Sequence, residues 1–453
     1  MADDPRPDEG QNPEDEFRDM LRDILSGKSS IDPSQLAGAA GLPNDPASVA
    51  ALMNQLQGAL RGSEDGAINW DITLKQGRDR ALAGQLNVTT EQRTQLDAAF
   101  NIAALWLDDV IAVAELTAPP RLMTRTEWVA ATTPIWTQLA EPVARSISDS
   151  LTRVLTEQAP EELQSMIAGA SQMMRSVGGT LFAMQLGQVI GQLSSEVVSG
   201  GDVGIPLLSE QQAALLPQNV AEFGDGLDVP ADQVQIYLAV RELAHARLFR
   251  HSRWLRLHLI SSITDFARGI SIDSSKLEEL AEGFDPANPE ELRDAMTNGS
   301  LIPPKTDAQL AALARLETML ALVEGWVDVV TLEATSRLPK ADAIAETVRR
   351  RRASGGPAES AFATLVGLDL RPRRMRDAAA MWQAVTDAVG NDARDALWAH
   401  PDILPSSADL DDPQSLVARL QSAAAGDEPV LDEVDQALED LLNDEGTDRP
   451  HEQ

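Results

Sequence analysis

Five residues near the middle of the chain, Arg241-Glu242-Leu243-Ala244-His245, differ at one position from HExxH. In that helical motif two histidines, four residues apart on one face, bind zinc and the glutamate between them handles protons. Here the first histidine is an arginine, which stays protonated in proteins and has no lone pair to give a metal. No neighbouring histidine replaces it. The sequence has five, His245, His251, His258, His400 and His451. His251 and His258 would lie about 240° and about 220° around a helix from His245. With no cysteine in the chain, any metal would have to sit on His, Asp and Glu.

The helix that must carry these residues is predicted over about 230–249, within DVPADQVQIYLAVRELAHARLF, which opens with the helix-start residues Asp228 and Pro230. Val234, Leu238, Arg241, His245 and Leu248 fall within about 40° of one line on it. Arg241 therefore points into an apolar stripe, where a guanidinium is costly unless carboxylates meet it. A second helix, in TDAQLAALARLETMLALVEGWVDVV, starts at the capping pair Thr306 and Gln309. Glu317, Glu324 and Asp328 share one of its faces. That face is either solvated, or it turns Glu324 and Asp328 inward toward Arg241 and His245. Gly325 would let another backbone approach beside Glu324. In an ordinary zinc site, Asp328 would hold His245 from behind.

The segments PQNVAEFGDGLDVP (217–230), RELAHARLFRHSRWLR (241–256), LVEGWVD (322–328) and GLDLRPRRMRDA (367–378), with INWDITL near the start, occur in one order. Together they resemble an actinobacterial family of zincin-like metallopeptidases, labelled zinc-dependent metalloprotease or hydrolase. A sister group associated with deazaflavin-coenzyme biosynthesis carries a full HExxH at the matching place. The resemblance covers roughly residues 65–425. It implies a mainly α, zincin-like metallopeptidase fold with a small β element near the N-terminal side of the domain. It also implies a zinc cofactor, with His245 as a metal ligand, Glu324 as the third ligand and Glu242 as general base. Arg241 stands in the first-ligand position. Two functions follow. One is a zinc peptidase or hydrolase. The other is a catalytically inactive binding or scaffold protein, in which Arg241 replaces the metal's charge within an ion-pair network with Glu242, Glu324 and Asp328.

The rest of the sequence bounds these readings. At 453 residues and 43% hydrophobic content there is ample material for a core. The net charge of −34 repels nucleic-acid phosphates and anionic lipid. Eight acids against two arginines in residues 1–20, and eleven against one in 427–453, predict solvated arms. The domains are thus an acidic, mostly disordered arm over 1–65, a helical domain over 66–425 and an acidic, mostly disordered tail over 426–453. The acidic start lacks an apolar leader, so the expected location is cytoplasmic. SVGGTLFAMQLGQVIGQLSS (176–195) has the length of a membrane span, but its recurring glutamines favour a packed helix in which Gly187 and Gly191 permit close approach.

INWDITLKQ (68–76) alternates Ile68, Trp70, Ile72 and Leu74 and reads as a strand. Thr89 with Gln92, Thr124 with Glu127, and Asn288-Pro289-Glu290-Glu291 mark helix starts. Eight arginines crowd residues 349–376: Arg349 to Arg352, Arg371, Arg373, Arg374 and Arg376. They either form a pocket for a carboxylate or phosphate, or pair with the protein's own acids. Tyr237, the only tyrosine, either assists catalysis as an acid or packs beside the central helix.

Overall fold

Local signals set several helix starts in the computed structural model, which describes residues 68–157, 164–209, 212–268, 305–353 and 374–425. The expected arms over 1–65 and 426–453, and the helix start at Asn288, lie outside the described residues. Thr89 and Gln92 form a reciprocal capping box at the head of a helix over Thr90–Asp108, and Thr306 and Gln309 do the same ahead of Asp307–Ala334. Thr124 and Glu127 exchange the same bonds at the head of Arg125–Glu157. Each pair satisfies N–H groups that a helix leaves without internal partners.

Numbered in chain order among the described residues, the helices are α1 (Asp71–Leu82), α2 (Thr90–Asp108), α3 (Arg125–Glu157), α4 (Gln164–Leu193), α5 (Pro217–Gly224), α6 (Ala231–His251), α7 (Arg253–Arg268), α8 (Asp307–Ala334), α9 (Ala341–Ala353), α10 (Met375–Ala396), α11 (Ser407–Asp411) and α12 (Pro413–Ala425). Two short strands, β1 (Arg121–Leu122) and β2 (Ala214–Leu215), pair in parallel. The fold is mainly helical with this small β element.

The expected strand at 68–76 is a correction. Asp71–Leu82 is helix, entered at Trp70 with the Asn69 carboxamide accepting from Asp71 N at 3.1 Å. The alternation of Ile68, Trp70, Ile72 and Leu74 does not decide the outcome. The small residues four apart, Thr73, Gly77 and Ala81, do, because they form the buried face of α1. That face meets α4 at Gly187 and Gly191. A Cβ on Gly187 would stand 2.6 Å from Thr73 O, and one on Gly191 2.8 Å from Gly77 O. The Thr73 hydroxyl donates to Ala183 O at 2.8 Å. The 176–195 segment is thus one side of a tight helix pair, and no described helix is long and apolar enough to cross a membrane.

The centre of the molecule is α6 packed between α2 and α8, with α10 on the far side of α8. Five tryptophans, Trp128, Trp136, Trp326, Trp382 and Trp398, are fully buried. Gly325 is where α8 and α10 touch: a Cβ there would lie 2.7 Å from the Ala378 Cβ. Glu324, the residue before it, points about 100° around the helix, toward Arg241 and His245 of α6.

Candidate functional site

Along α6, the apolar stripe Val234, Leu238 and Leu248 is buried, and so are Arg241 (5% exposed), Glu242 (1%) and His245 (1%). Facing them on α8, Glu324 and Asp328 are buried too. These acids do not form a solvated face.

Glu324 is the hub. Its Oε2 accepts from Arg241 Nη2, and its Oε1 accepts from Arg352 Nη2 of α9 at 2.8 Å. His245 Nε2 also faces Oε1, at 3.2 Å. Burial alone would raise the pKa of this carboxyl, but Arg352, Arg241 and His245 together hold it well below the usual range. For Arg241, burial works to strip the proton, and Glu324 together with Tyr237, Asp328 and Asp202 more than restores it, so its pKa stands above its ordinary value. Burial pushes His245 down against the pull of Glu324. Its two nitrogens face Arg241 O, at 3.1 Å, and Glu324, and the neutral ring that burial favours donates through only one of them.

Glu242 looks the other way. Its Oε1 accepts from Ala214 N and its Oε2 from Gly201 N, both at 2.8 Å. Burial pushes its pKa up to about 7, against those two N–H donors and the Ser199 hydroxyl. Asp328 does not reach His245. It takes both Nε (2.9 Å) and Nη2 (2.7 Å) of Arg349 through Oδ2, and its Oδ1 is buried without a partner. Tyr237 is buried on α6 with its hydroxyl unpartnered, and burial raises its pKa. His251 and His258 are exposed and stand apart from the centre.

Within the described part of the arginine cluster, Arg349 pairs with Asp328, Arg350 with Glu346, Arg351 with Asp202 and Arg352 with Glu324. Arg374 pairs with Asp377 and Asp411, and Arg371 and Arg373 lie outside the described residues. Sequence reasoning did not single out Arg352 as a partner of Glu324, nor the segment Ser199–Gly204 that covers the site. The signal for the segment was present in Ser199-Gly200-Gly201-Asp202-Val203-Gly204, three glycines in five residues shortly after a long helix. A pocket of about 430 Å³, counting its open mouth, reaches Glu242 and His245 between this segment and Leu207, Leu208 and Phe249.

A family model, described as zincin-like metallopeptidase, matches residues 68–417. The chain belongs to the zincin-like metallopeptidase family. The zincin-like chain also resembles a solved structure from Chloroflexus aurantiacus, described as that of a presumptive hydrolase with a novel fold. The two share 20% identity and a TM-score of 0.53 over 78% of this chain and 99% of that one, which is a likeness of fold. No curated protein matches the sequence.

The family implies a zinc ion, and the residues here do not fit one. Zinc needs three or four deprotonated donors with lone pairs aimed at one point. Arg241 offers none, and the oxygens of Glu324 are engaged by Arg241, Arg352 and His245. Glu242 has both oxygens on backbone N–H groups. Among the described residues, no group of three or more His, Asp or Glu side chains is arranged to hold a metal. The zincin-like site is arranged instead as alternating charge, with Arg241, Arg349, Arg351 and Arg352 interleaved with Glu324, Asp328 and Asp202.

Proposed function

We propose that this zincin-like chain is a binding or scaffold protein that keeps the fold of a metallopeptidase and replaces its metal with an internal ion-pair network. Hydrolysis by the ordinary zincin mechanism is absent from this reading. The observation that carries it is the state of Glu324. The carboxylate that the resemblance marks as third ligand is neutralised by two guanidinium groups, so the positive charge of a metal is already supplied. Arg241 and Arg352 stabilise the buried anion, His245 completes its hydrogen bonding, and Glu242 fixes the backbone of β2 and of the 199–204 segment to α6. Within the family, the motifs at 217–230, 241–256, 322–328 and 367–378 support kinship with actinobacterial chains and with the deazaflavin-associated group that has a full HExxH.

A zinc hydrolase is the competing reading, and the pocket that reaches Glu242 and His245 favours it. It requires both arginines to leave Glu324. Metal analysis of protein purified without chelator, followed by zinc titration in a calorimeter, separates the two. The expected result is no stoichiometric zinc and no tight binding by the parent. Arg241→His restores the motif but leaves Arg352 on Glu324, so Arg241→His/Arg352→Ala is the variant expected to gain zinc binding. One tightly bound zinc per parent chain would refute the proposal.

A further inference from the structure

β2 is the strand nearest the site, and both of its sides are occupied. On one side β1 donates Arg121 N to Ala213 O (2.8 Å) and Met123 N to Leu215 O (2.9 Å). On the other side lies the extended run Val198–Gly200, antiparallel to β2. Leu216 N donates to Val198 O at 3.0 Å and Gly200 N to Ala214 O at 2.9 Å. The chain then crosses the site as bare backbone. A Cβ on Gly200 would be 2.9 Å from Glu242 Oε1, one on Gly201 2.8 Å from the His245 Cβ, and one on Gly204 3.0 Å from Glu324 Oε1. Gly204 also has φ +83°, a left-handed backbone that favours glycine. Three glycines therefore lie on the three residues that the family resemblance marks for chemistry.

We propose that residues 198–204 form a self-occluding strap, seated where an extended peptide from a partner would pair with β2 and reach Glu242 and His245. The middle of the strap, Ser199-Gly200-Gly201-Asp202, brings no apolar side chain to the core. Its hold is polar. Gly201 N donates to Glu242, and the Asp202 carboxylate accepts from Val198 N (2.9 Å) and from Arg351 Nη2 (3.1 Å). Arg351 also donates to Glu196 O, clasping the start of the strap to α9. The apolar anchors Val198, Val203 and Ile205 flank this stretch. A segment held by two valines at its ends, a few hydrogen bonds and one ion pair opens at lower free energy than the core it covers. Once open, it frees Ala214 O and Leu216 N, the acceptor and donor that an added strand uses. The proposal adds a gate to the binding reading above, and rests on that reading only for the use made of the opened face.

The absence of cysteine makes a clean test available. Ser199 and Leu215 are bridge partners, flanked by the two hydrogen bonds rather than joined by them, so their side chains face each other across the narrow pair. Ser199→Cys/Leu215→Cys in the full chain should form one disulfide that staples the strap shut, with the reduced form as its own control. Asp202→Asn removes the charge that Arg351 clasps, and Arg351→Gln does the same from the other side if the first variant folds poorly. Hydrogen exchange is then read at the Gly200 and Leu216 amides and along α6.

The expected result is exchange at Gly200 and Leu216 about tenfold or more faster in Asp202→Asn, with α6 exchange and the denaturation midpoint near parental values. A synthetic peptide copying residues 196–205 should bind that variant and fail to bind the oxidised stapled form. Exchange at Gly200 and Leu216 that tracks α6 in every variant would show that the strap is core, and would overturn the proposal. Equal peptide binding by open and stapled forms would do the same. Zinc titration does not enter this test, so the gate and the metal-free reading fail separately.

Discussion

Removing the charge of Arg241 while keeping its bulk, as in Arg241→Met, tests whether Glu324 is the hub of the site. Breaking a buried pair from one side costs about 3–5 kcal/mol, because the surviving charge is left in a medium that solvates it poorly. Glu324 is not left alone in this variant, since Arg352 remains at 2.8 Å and His245 at 3.2 Å. The loss should therefore sit at the low end, about 3 kcal/mol. Glu324→Gln strips the shared anion from Arg241 and Arg352 together, and should reach about 5 kcal/mol. Once the hub is gone, Arg241→Met has little further to remove. The double variant should then lose about as much as Glu324→Gln alone, a coupling of about 3 kcal/mol. Urea denaturation of the four proteins at pH 7.5 completes the cycle. Losses below about 1 kcal/mol for both single variants, with no coupling, would mean that water solvates the pair and that the hub is misassigned.

Glu242 predicts a pH dependence of opposite sign to that of a salt-bridged acid. Its folded pKa of about 7 lies above the ordinary glutamate value of 4.5, so between those limits the folded chain holds a proton that the unfolded chain releases. Stability from this group is fully present below pH 4.5 and is lost as pH rises through about 7, a span of about 3 kcal/mol. His245, whose pKa is lowered, opposes it below pH 6.5, because there the unfolded state takes the extra proton. Comparing the stability curve of the parent with that of Glu242→Gln isolates the first contribution, and parallel curves from pH 5 to 8 would contradict the assignment. Gly325→Ala should destabilise by about 2 kcal/mol by forcing α8 from α10, although alanine in a helix interior ordinarily gains about 1 kcal/mol over glycine. An unchanged or higher melting temperature for that variant would show that the contact relaxes freely.

Sequence alone determined what is local. The capping boxes at Thr89 and Thr306 require partners three residues away, so they read correctly without any knowledge of the fold. The helical period placed Arg241 and His245 on one inward line, and the cost of a buried cation established that an anion had to meet them. The order of four motif segments pointed to the family. What the sequence left open depended on contacts between distant segments. Whether 68–76 would be strand or helix turned on a glycine face more than a hundred residues later, because small residues show their value only against the surface they meet.

The choice of ion partner was equally invisible. Arg241 reaches Glu324 across 83 residues, Arg352 reaches the same carboxylate from the other direction, and Asp328 goes to Arg349 rather than to His245. A charge needs an opposite charge but carries no local mark of which one, so only chain packing assigns it. Glu242 shows this most clearly. By the family resemblance it stands where a zincin has its general base. In the fold, two backbone N–H groups, 28 and 41 residues earlier in the chain, occupy both of its oxygens and make it a clasp.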